Sequence, residues 1–333
     1  MKSGIFLHRK EWHKMEYKDI ASLGKKINQN VAKVMIGREK TVDIVLAALI
    51  AGGHVLLEDM PGTGKTVLAK SMAKSMALSF SRIQFTPDLL PSDVTGISVY
   101  QPKEGNFEFK PGPVFTNVLL ADEINRATPR TQSALLECME EKQVTEGGVS
   151  RKLSAPFMVI ATQNPVEIQG TFPLPEAQLD RFLVRLSMGY PSREESLAIL
   201  NRFIQEQPLE TLESVADSDE IRAAQELYKQ CSVSPVVMGY MVSLCDATRD
   251  ENRVRLGTSP RGMLALMRLC QAYAALMGRD YVTPDDVKMM AVPALAHRIV
   301  MKSGFGGSAD SVKFVQEVLN TVPAPTENEE NVK

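Results

Sequence analysis

One stretch constrains the fold of this chain more than any other: His54-Val55-Leu56-Leu57-Glu58-Asp59-Met60-Pro61-Gly62-Thr63-Gly64-Lys65-Thr66. A short apolar run ends in a proline- and glycine-rich turn, and Gly-Lys-Thr then opens a helix-like segment. The first N–H groups of a helix have no partner inside it, and the helix dipole is positive there, so such a turn attracts anions. The phosphate-loop pattern is Gly, four residues, then Gly-Lys-Ser/Thr; here Asp59 stands where the first glycine would be. A carboxylate turned toward phosphates would repel them. The Asp59 side chain is therefore expected to point away, leaving the turn Pro61-Gly62-Thr63-Gly64-Lys65-Thr66 as the anion cradle. Lys65 would then reach the β/γ-phosphates of ATP, and the Thr66 hydroxyl would ligand Mg²⁺. A strand-to-helix turn that merely contains Gly-Lys-Thr is the plain alternative, and the downstream sequence decides between them.

Two acidic residues end the next strong apolar run, Asn117-Val118-Leu119-Leu120-Ala121-Asp122-Glu123. At the carboxyl edge of a parallel sheet beside the loop, Asp122 would join the Mg²⁺ shell and Glu123 would polarise the attacking water. Phe157-Met158-Val159-Ile160-Ala161-Thr162 is a further buried strand, and Asn164 just after it could orient that water. Other strands are read at Arg82–Phe85 and Leu183–Met188, making five. Two polar hairpins, 97–109 and 143–153, read as insertions on this core. Residues 16–50 are helical by period, interrupted at Ile36-Gly37, which would suit a clasp over an adenine base. Arg181 reads either as a surface charge paired with Asp180 or as a cation aimed at a neighbouring subunit's nucleotide.

Pro191-Ser192 marks a boundary, after which helices alone are expected: Arg193–Phe203, Asp219–Cys231, Pro235–Ala247, Pro260–Met277 and Pro284–Ile299. Arg261 falls in the first turn of the fourth. A cation there is misplaced against the helix dipole unless it faces an anion. Residues 321–333 read as a disordered acidic tail. Thirty-eight basic against forty acidic residues leave no basic surplus for nucleic acid. No apolar run approaches a membrane span. Four scattered cysteines and four histidines without metal spacing suit a soluble cytoplasmic protein.

Assembled in this order, the motifs resemble those of the AAA+ ATPases, and within them the MoxR family. To the loop and acidic strand are added Gln84-Phe85-Thr86-Pro87-Asp88-Leu89-Leu90-Pro91-Ser92-Asp93, Ala161-Thr162-Gln163-Asn164-Pro165 and Leu174-Pro175-Glu176-Ala177-Gln178-Leu179-Asp180-Arg181-Phe182. The resemblance spans about residues 31–300. It implies an α/β phosphate-loop core, a five-stranded parallel sheet in three αβα layers, over 31–190. An N-terminal helical extension (1–30) would precede it, and a helical lid (191–320) would follow. By matching position, Lys65 and Thr66 look like the Walker A pair and Asp122 and Glu123 the Walker B pair. Asn164 looks like sensor 1, Arg181 the arginine finger acting on the next subunit, and Arg261 sensor 2 in the helical lid, a nucleotide-binding candidate. The hairpins look like inserts that could line a pore. Gln84 is the candidate for coupling nucleotide state to movement. The resemblance implies an ATP-hydrolysing ring homo-oligomer, commonly a hexamer, that matures partner complexes, often with von Willebrand A-domain proteins. A metal-chelatase ATPase subunit and a DNA-translocating helicase are the alternatives.

Overall fold

The computed structural model describes residues 15–164, 170–205, 208–302 and 308–325. Its strands, in chain order, are β1 Val55–Glu58, β2 Phe80–Gln84, the hairpin β3 Gly96–Gln101 and β4 Asn106–Pro111, β5 Val118–Asp122, the hairpin β6 Gln143–Glu146 and β7 Val149–Lys152, β8 Met158–Gln163 and β9 Val184–Leu186. A short ribbon, β10 Val254–Leu256 with β11 Val300–Met301, follows. The central sheet has the order β2-β5-β8-β1-β9, and every pairing in it is parallel. β1, β5 and β8 are almost unbroken apolar runs, as strands covered on both faces must be.

The pleat divides these strands between two cores. Leu57, Leu120 and Ile160 face one with α1 Tyr17–Ala32, α2 Glu39–Ile50 and α3 Lys65–Ser75, together with C-terminal residues such as Leu269 and Met290. Leu56, Leu119 and Val159 face the other, under the helix Pro129–Glu141. The expected three layers are present. The register aligns Glu58 with Gln163 and Gln84 with Asp122, so the strands carrying the candidate residues end along one carboxyl edge.

The two hairpins form separate two-stranded sheets. Ser98 donates from its N–H to Glu146 Oε1 at 3.3 Å, and the Arg151 guanidinium lies 3.9 Å from the Phe109 ring centre, so the hairpins are tied to one another. Tyr100 and Phe107 pack at 5.3 Å with their rings tilted by 57° and both largely exposed.

The C-terminal part departs from the expected set of helices in two places. The antiparallel β10–β11 ribbon joins it, and a helix Ser308–Thr321 follows the last one expected. Strands of two and three residues are too short to display an alternation. The expected helix over 219–231 ends at Leu227 and continues as a 3₁₀ turn, Tyr228–Gln230. The acidic stretch from residue 326 lies outside the described residues. Among the described residues, no helix is long and apolar enough to cross a membrane.

His54 bolts this core together at the opposite, amino edge. Its Nδ1 accepts from the Val159 N–H at 3.0 Å, so Nε2 carries the proton and donates to the Met139 carbonyl at 3.0 Å. Burial pulls its pKa down from the usual 6.5 to about 4. The folded state holds the ring neutral, so this stabilisation is fully present above the unfolded pKa and is lost as pH falls from about 6.5 to about 4, by about 3 kcal/mol. Urea titrations across that window should show a steeper loss for the wild type than for His54→Gln, which cannot titrate. Parallel pH profiles would disprove the assignment.

Candidate active site

The loop 59–66 connects the carboxyl end of β1 to α3. Gly62 and Gly64 take φ of +83° and +91°, the left-handed region a side chain disfavours. Asp59 points away as expected. It is only 5% exposed, and its carboxylate accepts from Ser187 Oγ (2.7 Å), the Met188 N–H (2.6 Å) and the Gly189 N–H (3.1 Å). The residue in the first-glycine position therefore anchors the loop to the segment after β9, with its charge turned from the cradle. Lys65 Nζ donates to the Asp59 and Met60 carbonyls at 2.7 and 3.4 Å. Burial lowers its pKa, while the charges of Asp59, Asp122 and Glu123 oppose the shift.

The turn between α1 and α2 lies against this loop. A Cβ built on Gly64 would come within 3.5 Å of Met35 Cε and 3.8 Å of Met188 Cε. Gly37 has φ +68° and packs on Glu195, while Arg38 donates to the Gly189 carbonyl at 3.2 Å. The turn that carries Ile36 and Gly37 thus lies beside the loop.

Asp122 closes β5, and Asn164 directly follows β8, the strand between β5 and β1. The acid pair, Asn164 and Lys65 therefore meet at one edge, as the motif order requires. Pro165 lies outside the described residues.

The two expected arginines are elsewhere. Ser259 caps the helix Pro260–Leu276 by accepting from the Gly262 N–H at 3.1 Å, which sets Arg261 in its first turn. From there Arg261 Nη2 reaches Glu140 Oε1 at 3.2 Å, while Arg181 Nε reaches Glu140 Oε2 at 3.1 Å. Glu140 lies in the last turn of the helix Pro129–Glu141, which runs back from β5 to the amino edge. Both arginines line a cavity of about 540 Å³ there, with Gly53, His54 and Leu183 on its wall. At about 3.3 Å per strand residue, His54 and Asp59 stand about 16 Å apart across the sheet. Within the chain, the anion facing Arg261 is Glu140. Arg181 is paired with Glu140, not with its neighbour Asp180, which bonds Arg298 Nε at 2.6 Å.

A model of the ATPase family associated with various cellular activities (AAA) matches residues 54–184, and a model of the AAA lid domain matches 246–318. The uncharacterized protein YeaC of Bacillus subtilis is 48% identical over 307 residues, covering 92% of this chain and 95% of that protein. Chaperone MoxR1 of Mycobacterium tuberculosis is 38% identical over 310 residues, covering 90% of this chain and 81% of its own length. The chain belongs to the MoxR family of AAA+ ATPases. A solved structure of an ATPase candidate from Cytophaga hutchinsonii superposes with a TM-score of 0.85 at 37% identity, over 93% of this chain and 97% of that one.

This MoxR-family chain contains site residues that the motif reading passed over. Thr162 Oγ1 donates to Asp122 Oδ1 at 2.7 Å and accepts from the Glu123 N–H at 2.8 Å, so one hydroxyl orients both acids. A lone polar residue in the buried run 157–162 was the available signal. Glu123 is held at φ +56°, a sparsely populated region for a residue with a side chain, of the kind that clusters at functional sites. Its Oε2 accepts from Gln84 Nε2 at 2.7 Å and Arg126 Nη1 at 3.1 Å. Arg82 Nη2 donates to Asp122 Oδ2 at 2.7 Å.

The arrangement fits a magnesium nucleotide. The left-handed glycines open a backbone cradle at a helix start for the phosphates. Thr66 and Asp122 are hard oxygen donors of the type Mg²⁺ takes alongside phosphate oxygens. As an AAA+ ATPase, the chain binds and hydrolyses nucleotide.

Proposed function

We propose that this chain is the subunit of an ATP-driven, ring-forming chaperone whose hydrolytic site is completed by a neighbouring copy. The single observation that carries this is the convergence of Arg181 and Arg261 on Glu140, at the sheet edge opposite the chain's own phosphate loop. Cations that serve a phosphate must then serve another copy's. In this reading ATP and Mg²⁺ bind over Pro61–Thr66, with the Ile36-Gly37 turn beside the base. Mg²⁺, held by Thr66 and Asp122, would neutralise charge developing on the phosphates. Lys65 contacts the β/γ-phosphates, Glu123 accepts the proton of the attacking water, and Asn164 aligns that water. Gln84 and Arg126 hold Glu123 until the nucleotide draws it to work. Arg181 and Arg261 of the next copy meet the transferred phosphoryl group.

The ring closes as a hexamer, as the resemblance implies, and the exposed Tyr100–Phe107 pair at the tied hairpins faces its pore. The name of the mycobacterial relative supports a chaperone role, here maturation of partner complexes with a von Willebrand A-domain protein. That relative spans most of the chain, which favours this reading over a chelatase subunit or a helicase. Phosphate release per chain with magnesium ATP, followed over a dilution series, tests it. Turnover per chain should fall as the oligomer dissociates. Constant turnover down to the monomer would reject a shared site.

A further inference from the structure

We infer that Arg298 is the positioning residue that holds Arg181 and Arg261 as one constellation. The inference rests on the shared-site reading above. Arg298 ends the 3₁₀ turn Ala296–Arg298 just before β11, and its side chain is only 3% exposed. A buried guanidinium is tolerable only when its charge and its five N–H donors are matched. Here Nε and Nη2 are matched by the segment that carries Arg181. Nε donates to Asp180 Oδ1 at 2.6 Å. Nη2 donates to the Phe182 carbonyl at 2.7 Å and the Asp180 carbonyl at 3.3 Å. Nη1 reaches the Leu183 carbonyl at 3.4 Å and lies closer to its own segment, at the Ala294 carbonyl and 2.7 Å from His297 Nε2. The carbonyls on both sides of Arg181 are thus tied to one side chain.

The other face of Arg298 meets the helix that carries Arg261. A Cβ built on Gly262 would lie 2.8 Å from Arg298 Cδ and 3.4 Å from Nε, so the residue beside Arg261 needs to be glycine for the two to pack. Asp180 completes the joint: Oδ1 binds Arg298, and Oδ2 lies 3.9 Å from Arg261 Nε. One guanidinium therefore touches the backbone flanking the first arginine, the helical turn of the second, and the carboxylate between them. A well-packed apolar side chain would fill such a site at least as stably as a buried ion pair. What the rigid, planar fork of an arginine adds is fixed geometry. Arg298 itself lies at the base of the cavity that Arg181 and Arg261 line, only 3% exposed, and acts through its neighbours.

Two variants separate this role from general stability. Arg298→Lys keeps the charge and loses the fork; Gly262→Ala keeps Arg298 whole and pushes on its Cδ, and on Thr258 Cγ2 beside it. Each should lower kcat by about 10²-fold, the usual cost of misplacing a catalytic group by about 1 Å. KM for ATP and the affinity for a non-hydrolysable analogue should stay at wild-type values, since the phosphate loop is on the opposite edge. Mixing either variant with Lys65→Ala, itself unable to hold nucleotide but with an intact arginine face, should restore turnover. A sound loop from one copy then meets sound arginines from the other, which no general folding defect would allow. Should Arg298→Lys not fold, Gly262→Ala carries the test alone. Wild-type kcat in the folded variants beside an inactive Arg181→Ala overturns the inference and leaves the shared site standing. Parallel loss of nucleotide affinity, or no rescue on mixing, also overturns it. An active Arg181→Ala removes the shared site itself, and this inference with it.

Discussion

Replacing Arg181 by alanine is expected to lower steady-state ATP hydrolysis by about 10³–10⁵-fold, the range an arginine supplied to a transferring phosphoryl group contributes. That corresponds to about 4–7 kcal/mol of barrier. Nothing in the fold would suffer comparably. Arg181 is part-exposed and its partner is Glu140 at 3.1 Å, a surface ion pair of the kind worth about 0–1 kcal/mol. Nucleotide affinity should persist, because Lys65 and the cradle lie at the opposite edge of the sheet. The contact with Glu140 adds a second expectation. Its two carboxylate oxygens hold both arginines in the isolated chain, so a neighbour's phosphates must displace it. Turnover measured beside analogue binding and a thermal melt distinguishes the effects. An Arg181→Ala protein that hydrolyses ATP at the wild-type rate would end the shared-site mechanism, whatever its oligomeric state.

The parts of this site that were readable in the sequence are those whose chemistry is local in the chain. Gly62, Gly64, Lys65 and Thr66 announce themselves because one short turn must supply left-handed backbone, a cation and a hydroxyl together. Asp122 and Asn164 were legible because buried parallel strands are long apolar runs, and whatever polar residue ends one must lie at the sheet edge. Asp59 was half legible: repulsion predicts that its carboxylate turns away, but its acceptor role toward Ser187, Met188 and Gly189 depends on a segment 128 to 130 residues distant. The partner of Arg261 was not legible for the same reason. Its side chain direction follows from how the lid helix docks on the end of another helix at Glu140, which no spacing encodes. Arg298 looks like an ordinary charge near a helix end, and only burial against residues 180–183 separates it from the surface arginines. The β10–β11 ribbon was invisible because two or three residues cannot establish a period of two.

Glu123→Gln should retain ATP and fail to cleave it. The amide keeps the shape of the side chain and can still face Gln84, which donates to the carboxylate at 2.7 Å, but it cannot accept the proton of the attacking water. Loss of a positioned general base removes about 10²–10⁴-fold in rate, or about 3–5 kcal/mol. Binding should be untouched or tighter, since the change deletes a negative charge beside the γ-phosphate position while Lys65, Thr66 and Asp122 remain. An oligomer stalled with ATP in every loop would then keep its partners bound. Affinity capture with Glu123→Gln in magnesium ATP should retain a protein that the wild type releases and that Lys65→Ala never holds. Filter binding checks the first half of the expectation and single-turnover cleavage the second. A Glu123→Gln protein that cleaves bound ATP at the wild-type rate would move the base to another residue. One that no longer binds ATP would assign Glu123 to the cradle, because the lost charge alone cannot weaken attraction for a triphosphate.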